Sequence, residues 1–167
     1  MRPVTINGGY AMRAWYDIVG VELTAREDEA GIRDSEQRIR ALVRREVEAG
    51  VPAHRIVIAG FSQGGAVALH AALRHPARLA GVMALSTYLP LRGLLLAEAA
   101  AENRDVPILM CHGSRDDVVP MALGTASRDT LQGLKYPVEW RDFPMAHQVC
   151  PEEIHDIGRW LNARLAG

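Results

Sequence analysis

The chain of 167 residues has little of several things, and each scarcity excludes something. No apolar run approaches the roughly 20 residues that span a bilayer, so no membrane span is expected. The polar, Gly-containing N-terminus lacks the layout of a signal peptide. There are only two cysteines, Cys111 and Cys150. They could pair in principle, but Cys111 lies in an apolar strand pattern, and two buried or half-buried thiols in a reducing cytoplasm are the expected state. Lysine is nearly missing, since Lys135 stands alone among many arginines, a bias we assign to the source genome and not to a ligand. The net charge of −1 leaves no broad basic surface for nucleic acid. No repeat, linker or low-complexity segment divides the chain. With 49% hydrophobic residues it reads as one globular domain over residues 1–167.

What is present is organised around Gly60-Phe61-Ser62-Gln63-Gly64. Ahead of it, Arg55-Ile56-Val57-Ile58-Ala59 has the β-branched composition of a buried strand. Behind it, Gly65 to Arg74 is an Ala/Leu-rich helix that Pro76 ends. Strand, sharp turn and helix together form the context of a nucleophile elbow, which holds a serine oxygen above a sheet in a strained conformation. Gly60 and Gly64 are expected to let strand and helix approach closely. A Gly-rich βα turn of a nucleotide-binding fold would want more glycines ahead of the helix.

Before the elbow, Met1 to Leu23 has no clear period and is expected to pack as an ordered loop, with a turn at Asn7-Gly8-Gly9. Ala25 to Ala49 reads as a charged helix, with an apolar stripe of Ile32, Ile39, Leu42, Val43 and Val47 and a C-cap at Gly50. Its Arg and Glu residues read as a solvated outer face.

After the elbow, Leu79–Ser86 and Pro107–His112 are continuous apolar strands, and Val138–Phe143 alternates like an edge strand. A weakly specified helix is expected up to Glu102, a second from Pro120 to Leu134, and a last one from Pro151. The last places Ile154, Ile157, Trp160, Leu161 and Leu165 on one face. Strands alternating with helices imply a parallel sheet.

In such a sheet every strand's C-terminal end lies on one edge, where α/β proteins place their sites. Ser62 follows one strand, Asp116-Asp117 another, and His147 the last. Each residue alone has a plainer reading: His147 as a surface histidine, the aspartates as turn-formers or caps ahead of Pro120, Trp15 as core filler. His112 is a rival base, but it precedes the tight Gly113 turn. The order Ser, Asp, His on successive strand ends is what suggests acyl-transfer chemistry, because a serine hydroxyl needs a base and the base needs an orienting carboxylate.

Taken together, several stretches resemble the bacterial carboxylesterase / acyl-protein thioesterase (phospholipase/carboxylesterase) family of α/β-hydrolases. They are Arg2-Pro3-Val4-Thr5-Ile6-Asn7-Gly8-Gly9-Tyr10, Trp15-Tyr16-Asp17-Ile18, Ala59 to Ala66, Ala84-Leu85-Ser86-Thr87-Tyr88, His112-Gly113 with Asp116-Asp117-Val118-Val119, and Pro144-Met145 with His147. The resemblance implies an α/β-hydrolase fold with a parallel sheet and flanking helices. It implies Ser62 as nucleophile, Asp116 as orienting acid, His147 as base and Gln63 as an oxyanion-hole donor, with Trp15 a candidate substrate contact. Short-to-medium acyl esters or thioesters are the implied substrates, with no cofactor or metal. Family members carry, ahead of the Arg2-Pro3-Val4-Thr5 segment, further strands and a His-Gly-Leu-Gly loop that supplies a second oxyanion donor. The chain is therefore expected to be N-terminally truncated, at a cost on the order of 2.7–4 kcal/mol per lost donor. Its Arg55–Ala59 strand is then an exposed apolar edge through which it could form a homo-oligomer. The alternative is a non-catalytic remnant that acts as an interaction module. A cysteine-based lactone hydrolase of the same fold is set aside because the elbow holds serine.

Overall fold

The N-terminal segment, expected to be a loop, contains a short hairpin. In the computed structural model, which describes residues 1–20 and 26–166, β1 (Arg2–Val4) pairs antiparallel with β2 (Tyr10–Met12). The turn falls at Asn7-Gly8-Gly9 as expected, with φ of 65° and 76° at the two glycines. Strands this short, one of them wholly exposed, cannot write an alternating pattern into the sequence. The segment is then tied down by carboxylates. Asp17 accepts from both the N–H and the hydroxyl of Thr5 (2.6 Å each), and Asp28 Oδ2 accepts from the Asp17 N–H (2.9 Å). The end of the expected loop at Leu23 and the expected helix start at Ala25 lie outside the described residues.

Helix α1 runs Glu29–Glu48, opened by Asp28, whose side chain accepts from the Gly31 N–H. At its end the Gly50 N–H bonds to Val47 O and the Val51 N–H to Glu46 O, with Gly50 at φ 98°. That is a Schellman closure with Gly50 one position beyond the cap, close to where the sequence placed it. The expected apolar stripe is narrower than the pattern suggested. Ile32 and Val43 are buried and Ile39 packs beside them, but Leu42 and Val47 stay 45% and 43% exposed. The expected solvated charges also need correction. Glu36 is buried, bonded to His70 Nε2 (3.1 Å) and Arg40 Nε (2.7 Å), and Arg33 and Arg74 both grip Glu98 (2.6 and 2.7 Å). Burial pushes the Glu36 carboxyl up, but the His70 and Arg40 contacts outweigh it and leave it below its ordinary range.

Four parallel strands follow: β3 (Val57–Phe61), β4 (Gly81–Leu85), β5 (Ile108–Gly113) and β6 (Val138–Phe143), paired in chain order. β3 begins later than the apolar run because Pro52 starts a 3₁₀ turn over Ala53–Arg55. It extends instead through Gly60 and Phe61. Helices α2 (Gln63–Leu73), α4 (Met121–Gly133) and α5 (Pro151–Leu165) fall where expected. The region up to Glu102 does not form one helix. It breaks into α3 (Leu95–Glu98) between two 3₁₀ turns, because Ala99 is extended and the Ala100 N–H bonds across to Leu73 O.

Alternating strand residues build two cores, one on each face of the sheet. Ile58, Val82, Ala84, Ile108 and Met110 pack with Leu69 and Leu73 of α2 and Leu131 of α4. Met83, Leu109, Cys111 and Phe143 pack with Trp160 of α5. Each fully buried leucine contributes on the order of 2 kcal/mol. On α5, Ile154 is 60% exposed, so the buried face is carried by Ile157, Trp160 and Leu161. Among the described residues β3 has a strand neighbour on its β4 side alone. The Ser62 N–H bonds to Leu85 O, so by alternation the backbone groups of Val57, Ala59 and Phe61 point to the open edge. Among the described residues no helix is long and apolar enough to cross a membrane.

Candidate active site

Three strand ends bring the site together. Ser62 sits between β3 and α2 with φ 53° and ψ −125°, a conformation that L residues rarely adopt and that costs on the order of 1–3 kcal/mol. Both ends of its peptide unit are held. Its N–H bonds to Leu85 O, and its carbonyl accepts from Thr87 Oγ1 (2.6 Å) and from the Gly65 and Ala66 N–H groups. Gly60 is required here, since a Cβ would lie 2.1 Å from the Gly64 carbonyl oxygen. Gly64, expected to matter equally, does not: a Cβ there would meet only the Trp15 indole at 3.6 Å. Gly65, against Thr87 at 2.7 Å, is the second tight position.

The loops leaving β5 and β6 are laced together. The Ser114 N–H bonds to Phe143 O and the Arg115 N–H to Met145 O, an approach that Gly113 permits because a Cβ would lie 2.4 Å from Ala146 O. This lacing sets Asp116 beside His147. Asp116 Oδ2 accepts from His147 Nδ1 at 2.7 Å, and its Oδ1 accepts from the Val118 and Val119 N–H groups at 3.0 and 2.8 Å. The Asp116 side chain is wholly closed to solvent, whereas Asp117 is exposed. A carboxylate only accepts, so Nδ1 of His147 carries the proton and Nε2 offers a lone pair. Ser62 Oγ stands 2.9 Å from that Nε2 and donates to it. The ring of Phe61, missed in the sequence, lies tilted against His147 with centroids 4.7 Å apart. Its only signal was its place inside the elbow motif.

Gln63 and Trp15 lie beside this line. Gln63 is the first residue of α2, so its backbone N–H has no partner within the helix. Its side chain clamps the N-terminal segment: Oε1 accepts from the Trp15 N–H and Nε2 donates to Tyr16 O, both at 2.7 Å. Ser35 Oγ donates to Trp15 O at 2.5 Å, and the Tyr16 hydroxyl meets that of Tyr88 at 2.8 Å. Burial, then the neighbouring Tyr88, pushes the Tyr16 phenol well above its ordinary range. Trp15 stays 37% exposed next to the elbow. His112 is buried on the far side of Asp116 and is not brought to Ser62, so it is not the base this geometry offers. Among the described residues no three His, Cys, Asp or Glu side chains are placed to hold a metal ion.

Such an arrangement can move a proton from a serine hydroxyl to an imidazole while a buried carboxylate stabilises the resulting cation. The sequence pattern of the phospholipase/carboxylesterase family matches residues 1–165. Acyl-protein thioesterase 1 of Neurospora crassa is 43% identical over 172 residues, covering 98% of this chain and 70% of that protein. Acyl-protein thioesterase 1 of Yarrowia lipolytica is 38% identical, covering 98% of the chain and 74% of its own length. The crystal structure of Arabidopsis thaliana SOBER1 superposes with a TM-score of 0.93 at 28% identity, over 98% of this chain and 80% of that one. These relatives are fungal and plant proteins, so the likeness is not specifically bacterial.

Proposed function

The chain belongs to the phospholipase/carboxylesterase family and is a hydrolase of the esterase and thioesterase type, and we propose that it works through an acyl-enzyme on Ser62. The observation that carries this reading is the continuous line from Ser62 Oγ through His147 to Asp116, at 2.9 and 2.7 Å. Ser62 passes its proton to His147 Nε2 as Oγ bonds to the acyl carbon, and the carbonyl electrons move onto oxygen. The Gln63 N–H faces that oxyanion. Collapse of the intermediate expels the alcohol or thiol, which takes the proton back from His147. Water then repeats the sequence and frees the acid, with no cofactor entering the balance.

The substrates under this reading are short-to-medium acyl esters and thioesters, with Trp15 as one wall of the acyl site. Residues 1–167 act as one α/β-hydrolase domain, and two free cysteines suit a cytoplasmic setting. The open edge of β3 makes self-association the partner reading we favour. No observation at the site favours the non-catalytic alternative. Turnover of an aryl acetate and of an acyl thioester, each beside a Ser62→Ala control, tests the proposal. Rates above background in the wild type alone support it, and equal rates in both refute it.

A further inference from the structure

His112 is the one histidine beside Asp116 that the proposed mechanism leaves unused. It ends the apolar run of β5 and is buried, with its ring nearly parallel to Trp140 of β6 (16°, centroids 6.0 Å apart). Gly124 of α4 makes room for that pair. A Cβ there would lie 2.5 Å from His112 Nδ1 and 3.1 Å from the Trp140 ring. His112 Nε2 lies 2.9 Å from Val119 O. A carbonyl only accepts, so Nε2 carries the proton. The same N–H edge faces Asp116 Oδ2 at 3.7 Å, too long for a hydrogen bond.

Val119 is therefore held at both ends. Its carbonyl is fixed by His112, and its N–H is one of the two donors that fix Asp116 Oδ1. If the His112 contact were lost, Val119 could rotate away and Asp116 would lose both a donor and its single orientation toward His147. We propose that His112 is a positioning residue for the acid arm of the site, acting on His147 through Val119 and Asp116. This rests on the serine-hydrolase reading of the same site.

The test compares His112→Phe, which keeps a ring against Trp140 but has no N–H, with His112→Gln, whose amide NH₂ reaches about as far from the backbone as Nε2. Both are made in the wild type and in Asp116→Asn. His112→Phe is expected to lower kcat by about 10- to 100-fold, short of the loss of the aspartate itself, with KM within about twofold. The acid limb of its rate profile moves to lower pH, because a loosened carboxylate stabilises the His147 cation less. His112→Gln restores most of the rate. In Asp116→Asn the Phe change costs no more than about a further threefold, since the two act along one path. An unmoved acid limb with the same loss in both backgrounds marks a merely structural role and overturns the proposal, as does a wild-type rate in His112→Phe. A wild type that hydrolyses nothing contradicts the enzyme reading instead. The low-field proton signal of His147 Nδ1–H then decides this one: its loss in His112→Phe and return in His112→Gln supports the proposal, and its persistence in His112→Phe overturns it.

Discussion

Replacing Glu153 with glutamine isolates a carboxyl that the fold keeps protonated to higher pH than usual. Glu153 is the third residue of α5, and its side chain is fully closed to solvent. Neither carboxyl oxygen has a partner at full hydrogen-bonding geometry. Burial pushes the carboxyl up to about 7, against weaker pulls downward from the Cys150 N–H and the Cys111 thiol. The same burial, with Glu153 beside it, pushes the Cys111 thiol to about 12. The folded value thus lies above the ordinary 4.5 of the unfolded chain. The stability that goes with the protonated acid is fully present below about pH 4.5 and is lost as pH rises through about 7. At about 1.4 kcal/mol per pH unit the whole span is about 3 kcal/mol. Pro151 and Glu152 just above are exposed, so the first turn of α5 can relax, and about 2–3 kcal/mol is the expected figure. Urea unfolding of wild type and Glu153→Gln from about pH 4.5 to about pH 8 reads the difference directly, since every other titrating group cancels. The glutamine variant should gain on the wild type steadily as pH rises. Parallel stability curves would refute the reasoning and place Glu153 as an ordinary ionised carboxylate.

Gly60→Ala should unfold the elbow or cost at least about 4 kcal/mol, because its Cβ meets backbone that cannot move aside, while Gly64→Ala should stay within about 1 kcal/mol; thermal melts of the two variants give the ranking. Asp116→Asn should lower kcat by up to about 10⁴-fold by favouring the wrong tautomer of His147, and Asp117→Asn should be mild, as its exposure suggests; reversed severities in an ester assay would mean that the wrong carboxylate was chosen. Sedimentation at micromolar concentration should show self-association that Val57→Pro reduces, because that substitution removes an N–H on the open side of β3 while leaving the β4 ladder; a monomer at all concentrations speaks against the edge reading.

Much of the fold was legible because buried parallel strands write continuous apolar runs. β4 and β5 fell within a residue or two of those runs, and β6 on the alternating stretch Val138–Phe143. The meeting of Ser62, Asp116 and His147 was legible for a topological reason: residues that follow parallel strands arrive at one edge. What failed was set by contacts that one sequence does not display. The helix expected up to Glu102 is broken by a bond from Ala100 to Leu73, which outweighs a weak local preference. Glu36 looked solvated because helical spacing cannot reveal that His70, on the next helix, faces it. Phe61, Thr87 and the side chain of Gln63 shape the site through contacts that emerge only when strand, elbow and N-terminal segment are assembled.

The proposed cycle stands or falls on covalent acylation of Ser62. Its most direct test is mass spectrometry of the intact folded protein after reaction with a fluorophosphonate probe, beside Ser62→Ala and His147→Ala. One adduct is expected on Ser62 in the wild type, none in Ser62→Ala and a greatly slowed one in His147→Ala. Folded wild-type protein that remains unlabelled, or labels equally well without Ser62, would contradict it.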